Sequence, residues 1–157
     1  MSTNPSSDSR KRFLLIRTDR VGDTILTFPA VTALRNNYPE AFISFLAQPY
    51  TVPLIEQYAG IDLLLSYEPE GRHRGWKGVL KLSHQLRELN FDAAILFYPR
   101  PELAFALLKA KIPLRIGTGY RWYSFLLNRR IYEHRKDCRK HESEYNLSLL
   151  ESLMPDK

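Results

Sequence analysis

With 157 residues, 44% of them apolar and 12% aromatic, the chain has material for one hydrophobic core of ordinary size and not for two. No window of about twenty apolar residues occurs, which excludes a helical membrane span, and the single cysteine, Cys138, excludes an internal disulfide and is compatible with a reducing compartment. Twenty-three Lys and Arg against 17 Asp and Glu give a formal charge of +6, which favours an anionic partner (nucleic acid, anionic lipid or phosphorylated glycan) or simply keeps the protein dispersed.

The start is polar and Ser-rich, and residues 1–12 read as a disordered leader rather than a secretory signal, because the apolar run behind Arg10-Lys11-Arg12 is short. That run, Phe13-Leu14-Leu15-Ile16, has the continuous apolar character of a buried parallel strand. A turn over 17–22 follows, then Ile25, Leu26, Phe28, Val31 and Leu34 recur at mostly helical spacing, with Pro29 kinking this helix or opening its main body. Strand 41–47, helix 51–58 and strand 61–66 continue the alternation until a polar, basic loop, 68–75, interrupts it. Leu80, Leu82, Leu86 and Leu89 then predict a helix reaching Asn90. Strand 93–97, helix 102–109, strand 114–117, a short helix near 123–127 and a final helix over 143–153 complete the pattern. Strands separated by helix-length segments imply a doubly wound, Rossmann-like parallel sheet of about five strands, the first one central, covered by helices on both faces. One domain over 13–153 results.

In such a sheet the site lies beyond the carboxyl ends of the strands. The loops to inspect are therefore 17–23, 48–50, 67–77, 98–101 and 118–122, and four of the five contain Arg. The first, Arg17-Thr18-Asp19-Arg20-Val21-Gly22-Asp23, is the leading candidate. Gly22 lets a backbone approach a ligand closely and helix-start amides can hold an anion. Asp23 reads equally as a catalytic carboxylate and as the N-cap of the following helix. The spacing of a Gly-rich dinucleotide turn is absent.

Arg17 to Asp23, followed by Leu26-Thr27-Phe28-Pro29-Ala30-Val31 and by Leu34 and Tyr38-Pro39, resembles the opening of glycosyltransferase family 9, the heptosyltransferase family. Many members carry a Ser-Ser pair ahead of the Gly-Asp, where Asp19-Arg20 stands here. The resemblance extends through Phe91-Asp92-Ala93-Ala94-Ile95, Arg115-Ile116-Gly117, Asn128-Arg129-Arg130 and His141-Glu142. It implies the N-terminal, acceptor-binding half of a two-domain GT-B enzyme, working by metal-independent inverting transfer of a sugar, commonly heptose, into the lipopolysaccharide core. It implies that Asp23 is the catalytic base, with Thr18, Asp19 and Gly22 beside it in the acceptor site. Physically, a carboxylate at Asp23 could take the proton of an acceptor hydroxyl as its oxygen attacks the anomeric carbon.

Arg72, His73, Arg74 and Lys77, and further on Arg121, Arg129 and Arg130, form a basic set. Arg suits carboxylate and phosphate through its planar fork, and each Arg reads equally as a solvated charge. By the same resemblance Arg72 or Arg74, Arg121 and His141 would contact the acid sugar and phosphates of the acceptor. The stretch 129–140 reads as a solvated or membrane-facing segment. Trp76, Trp122 and Tyr120 could stack on a sugar or rest at a lipid headgroup layer, packing being the commoner fate of an aromatic. No His or Cys cluster has the partners of a zinc site, so no metal is expected.

The chain ends at Met154-Pro155-Asp156-Lys157, where a linker to the donor domain would be expected, so a truncated, inactive half lacking that domain is anticipated. The donor, ADP-heptose by resemblance, would then bind elsewhere, and no cofactor is expected in this half. The expected partner is a lipopolysaccharide core or lipid A precursor, met in the cytoplasm or peripherally at the inner membrane. Nucleic acid is not expected, for want of a recognition motif. The competing reading is a non-catalytic module that binds anionic glycolipid.

Overall fold

The computed structural model describes residues 10–131 and 142–153. Among them are the strands β1 (Arg12–Ile16), β2 (Phe42–Ala47), β3 (Leu63–Ser66), β4 (Ala93–Leu96), β5 (Leu114–Thr118) and β6 (Arg129–Ile131). They form one sheet in the order β3-β2-β1-β4-β5-β6, and every neighbouring pair is parallel. The helices are α1 (Val21–Ile25), α2 (Phe28–Asn37), α3 (Val52–Glu56), α4 (Gly75–Glu88), α5 (Pro101–Lys109) and α6 (Glu142–Leu150).

Side chains alternate across each strand, so the sheet feeds two separate cores. Leu14, Ile16, Leu46, Ala94 and Leu96 pack under α4 and α5, against Val79, Leu82, Leu86, Leu103 and Leu107. Phe13, Leu15, Ile43, Phe45 and Ile95 face the other way, toward Val31 and Leu34 of α2 and Leu149 and Leu150 of α6. β1 is thus buried on both faces, which is why its sequence is an unbroken apolar run rather than an alternating one. At about 1.5–3 kcal/mol for each fully buried large apolar side chain, this one strand contributes more than its hydrogen-bond ladder does.

Chain order reverses between β1 and β4, since β2 and β3 lie to one side of β1 and β4 to β6 to the other. Loops leaving β1 and β4 therefore diverge, opening a crevice at the carboxyl edge. Pro29 sits in the first turn of α2, where its missing N–H is harmless, so it opens the helix rather than kinking it.

Three expectations need correction. Among the described residues the sheet has six strands, because Arg129–Ile131, read as part of a solvated or membrane-facing stretch, pairs with β5 as an edge strand. Its Arg residues remain exposed there, which hid the strand from an apolar pattern and suits an edge that must not pair further. Residues 132–140 lie outside the described region. The segment near 123–127 is a single 3-10 turn, Ser124–Leu126, not a helix. The third strand starts at Leu63, because Gly60 turns the chain with φ of 108° just ahead of it.

Two of the family-like stretches are structural. Asp92 accepts the Arg12 backbone N–H at 2.8 Å and joins β4 to β1. Arg115 donates to the carbonyls of Leu126 at 2.8 Å and Ile112 at 2.9 Å, tying down the β5–β6 crossover.

Candidate active site

The loop after β1 is built around Arg17, whose side chain is only 1% exposed. A buried guanidinium must be compensated or it would cost several kcal/mol. Nε donates to Asp19 Oδ1 at 2.6 Å and a terminal nitrogen to Asp19 Oδ2 at 2.9 Å, a two-pronged pair. The other terminal nitrogen donates to Asn146 Oδ1 at 3.1 Å, and Asn146, itself buried, passes its amide N–H to the Leu26 carbonyl at 3.0 Å. A side chain of α6 thereby locks the loop and the end of α1. Gln48 donates to the Thr18 carbonyl at 2.6 Å and the Tyr50 hydroxyl donates to the Asp19 carbonyl, so the loop after β2 holds the same backbone from the other side.

The two acids of the loop play unequal parts. Asp19 is 11% exposed and gives both oxygens to Arg17, whereas Asp23 is 34% exposed and its Oδ1 lies 3.7 Å from the Arg17 guanidinium. Asp23 is held near a cation and keeps about a third of its side chain exposed. It is not the N-cap residue: Arg20 occupies that position without a side-chain cap hydrogen bond, and Asp23 falls in the first turn. The sequence pattern could not separate these, because cap and first-turn acids favour the same neighbourhood of a helix start. An added Cβ on Gly22 would meet nothing within 4 Å, so the space above it is open. Thr18 Oγ1 is buried and has no hydrogen-bond partner among the described residues, an arrangement that calls for a ligand or water.

A second feature of the same edge is a cavity of about 380 Å³ lined by Tyr67, His73, Trp76, Val79, Arg100 and Glu102, among others. Arg100 lies over the Tyr67 ring, 5.9 Å from its centre. Burial pushes the Tyr67 hydroxyl up from its ordinary value, against the opposing pull of Arg100. His73 is buried, its ring stacked on Tyr67 at 5.7 Å, and its Nδ1 accepts the Glu68 backbone N–H at 3.0 Å. Burial, reinforced by the neighbouring Arg72, lowers the His73 pKa. The α4 start presses so close that a Cβ on Gly78 would stand 2.1 Å from the His73 carbonyl carbon, which only glycine permits.

Of the expected site residues, Thr18, Asp19, Gly22 and Asp23 come together in one loop. Arg72 is exposed and pairs with Glu68, and Arg74 precedes α4 as its N-cap residue; neither lines the cavity. Arg121 is exposed in the β5–β6 crossover, and His141 lies outside the described residues. Arg17, Asn146, Tyr67 and Arg100 were not singled out. Arg100 could have been, since it follows a buried strand and immediately precedes a helix-opening Pro101.

A parallel Rossmann-like sheet with a carboxylate-bearing loop at its reversal point and an Arg-lined cavity on the same edge defines an α/β domain of the Rossmann-like class. The comparisons refine that class. No family model matches the chain. It is 29% identical over 135 residues to Lipopolysaccharide heptosyltransferase 3 of Escherichia coli K12, covering 84% of this chain and 39% of that protein. The structure of ADP-heptose lps heptosyltransferase II of E. coli superposes with a TM-score of 0.72 and 27% identity over 88% of this chain and 39% of that one. A glycosyl transferase family 9 structure from Veillonella parvula gives a TM-score of 0.82 over 93% of this chain, at 22% identity, which speaks for the fold alone. The chain is similar to these glycosyltransferases and spans about two fifths of their length.

Proposed function

We propose that this chain is the acceptor-binding half of an inverting sugar transferase that extends the lipopolysaccharide core, with heptose from ADP-heptose as the transferred sugar. The observation that carries the reading is the division of labour in the first loop: Asp19 gives both oxygens to Arg17 and is 11% exposed, whereas Asp23 is the more exposed acid of the loop at 34%. Asp23 takes the proton of the acceptor hydroxyl while that oxygen attacks the anomeric carbon and the nucleoside diphosphate departs. The open space above Gly22 receives the acceptor sugar, and Arg100 receives an acid or phosphate group of the core. The donor is held by a domain outside this chain. The acceptor is a lipid A precursor or core glycan, which brings the domain to the cytoplasmic face of the inner membrane.

Titration of the isotope-labelled chain with a phosphorylated core glycan, followed by amide NMR, tests this. Amides of Thr18, Gly22, Asp23 and Arg100 should shift together, and a single-stranded DNA of matching charge should leave them in place at moderate salt. Equal response to DNA, or shifts confined to other surfaces, would refute the reading.

A further inference from the structure

The β5–β6 crossover carries an apolar surface that neither core accounts for. Its inward residues, Tyr123, Ser124 and Leu127, are buried. Ser124 Oγ donates to the Thr118 carbonyl at 2.7 Å and accepts the Arg121 N–H at 3.1 Å, and Arg115 holds the Leu126 carbonyl. The Gly119 N–H closes the base on the Ile131 carbonyl at 2.9 Å. From this fixed turn Trp122 projects 79% exposed, Phe125 67% and Tyr120 47%. Trp122 touches Tyr123 edge to face, and neither Trp122 nor Phe125 lines the cavity by Tyr67, so sugar stacking in that cavity does not explain them. Arg121 stands among the aromatics, and β6 beside them exposes Arg129 and Arg130.

We propose that this crossover, with β6, is a membrane-docking surface that seats on an anionic phospholipid headgroup layer. Tryptophan and phenylalanine held on a rigid turn enter the interfacial region without an ordering cost, and the neighbouring guanidinium groups meet lipid phosphates. The charge excess of 23 basic over 17 acidic residues has the sign such a surface needs. The proposal rests on the acceptor reading only for its purpose, which is to bring the domain to a lipid-anchored substrate. Docking itself requires no glycan.

The test uses the chain with vesicles of phosphatidylcholine mixed with phosphatidylglycerol, and of phosphatidylcholine alone, neither containing glycan. In a Trp76→Phe form Trp122 is the sole tryptophan, and its emission should shift to shorter wavelength on the anionic vesicles. Trp122→Ala with Phe125→Ala should weaken sedimentation with those vesicles by about tenfold or more, since each aromatic removes an interfacial anchor. Both side chains are exposed, so the circular dichroism spectrum and Tm should hold. Arg129→Gln with Arg130→Gln should weaken binding further and reduce its salt dependence. Unshifted Trp122 emission, or undiminished binding by the double alanine form, would overturn the proposal. So would a dimer abolished by the same substitutions in the absence of vesicle binding, which would assign the patch to a second copy. Because the vesicles lack glycan, failure here leaves the acceptor reading to the glycan titration.

Discussion

Two loops at the carboxyl edge each bury a basic side chain, and they stabilise it in opposite ways. After β1, Arg17 stays charged and is compensated by Asp19, Asp23 and Asn146. After β3, His73 is buried against Tyr67 and accepts a backbone N–H, which requires the neutral ring. The first solution produces a fixed electrostatic arrangement around a carboxylate, suited to positioning a base. The second produces a packed wall for a cavity. One sheet edge thus carries a charged cluster and a shaped recess on separate loops, so neither loop meets both demands.

The comparison breaks most severely at Arg17. Arg17→Met should cost about 3–5 kcal/mol, because it leaves the largely buried Asp19 without its cation and Asn146 Oδ1 without its donor. Urea unfolding measures it, and a loss below 1 kcal/mol would mean that the ion cluster is not what holds the loop. Next in size is Gly78→Ala, where a Cβ 2.1 Å from the His73 carbonyl carbon forces α4 away from the cavity wall. About 3 kcal/mol should be lost, at the upper end for overpacking, and the same change at the open Gly22 should be milder.

A pH titration sharpens the contrast with a smaller effect. With the folded His73 pKa below the ordinary 6.5, the unfolded chain binds the proton more readily than the folded one as pH falls through that value. Stability should therefore decline as pH drops through 6.5 and level off once His73 is protonated in the fold as well. His73→Phe should flatten that part of the Tm profile, while Arg17, charged throughout, contributes no slope there.

The sheet and its helices were legible because period and run length report burial directly, as in Phe13 to Ile16 and the α4 leucines. β6 was not legible: an exposed edge strand containing Arg129 and Arg130 carries no apolar period. The first loop was legible as a strand-to-helix connection at the carboxyl edge, yet the split between Asp19 and Asp23 was not, since it depends on where Arg17 points. Asn146 lies 129 residues from Arg17 and contacts it only through the packing of α6 on α2. No local pattern encodes such a contact. Trp122, for which packing was the commoner expectation, is exposed because Tyr123 and Leu127 already fill the space beneath the crossover.

The central claim is that Asp23 is the base, and turnover by a two-domain protein that joins this chain to a family donor domain tests it most directly. Asp23→Asn keeps the size of the side chain and removes the proton acceptor, so turnover should fall about a hundredfold to ten-thousandfold while acceptor affinity stays within a few-fold. Stability should change little, because Asp23 is not the N-cap residue, is one third exposed, and Asn keeps its size. Asp19→Asn should do the reverse, lowering Tm by weakening the Arg17 pair and reducing turnover only as far as the loop loosens. Near-normal turnover by Asp23→Asn, or a larger loss of turnover in an Asp19→Asn protein of unchanged Tm, would contradict the account.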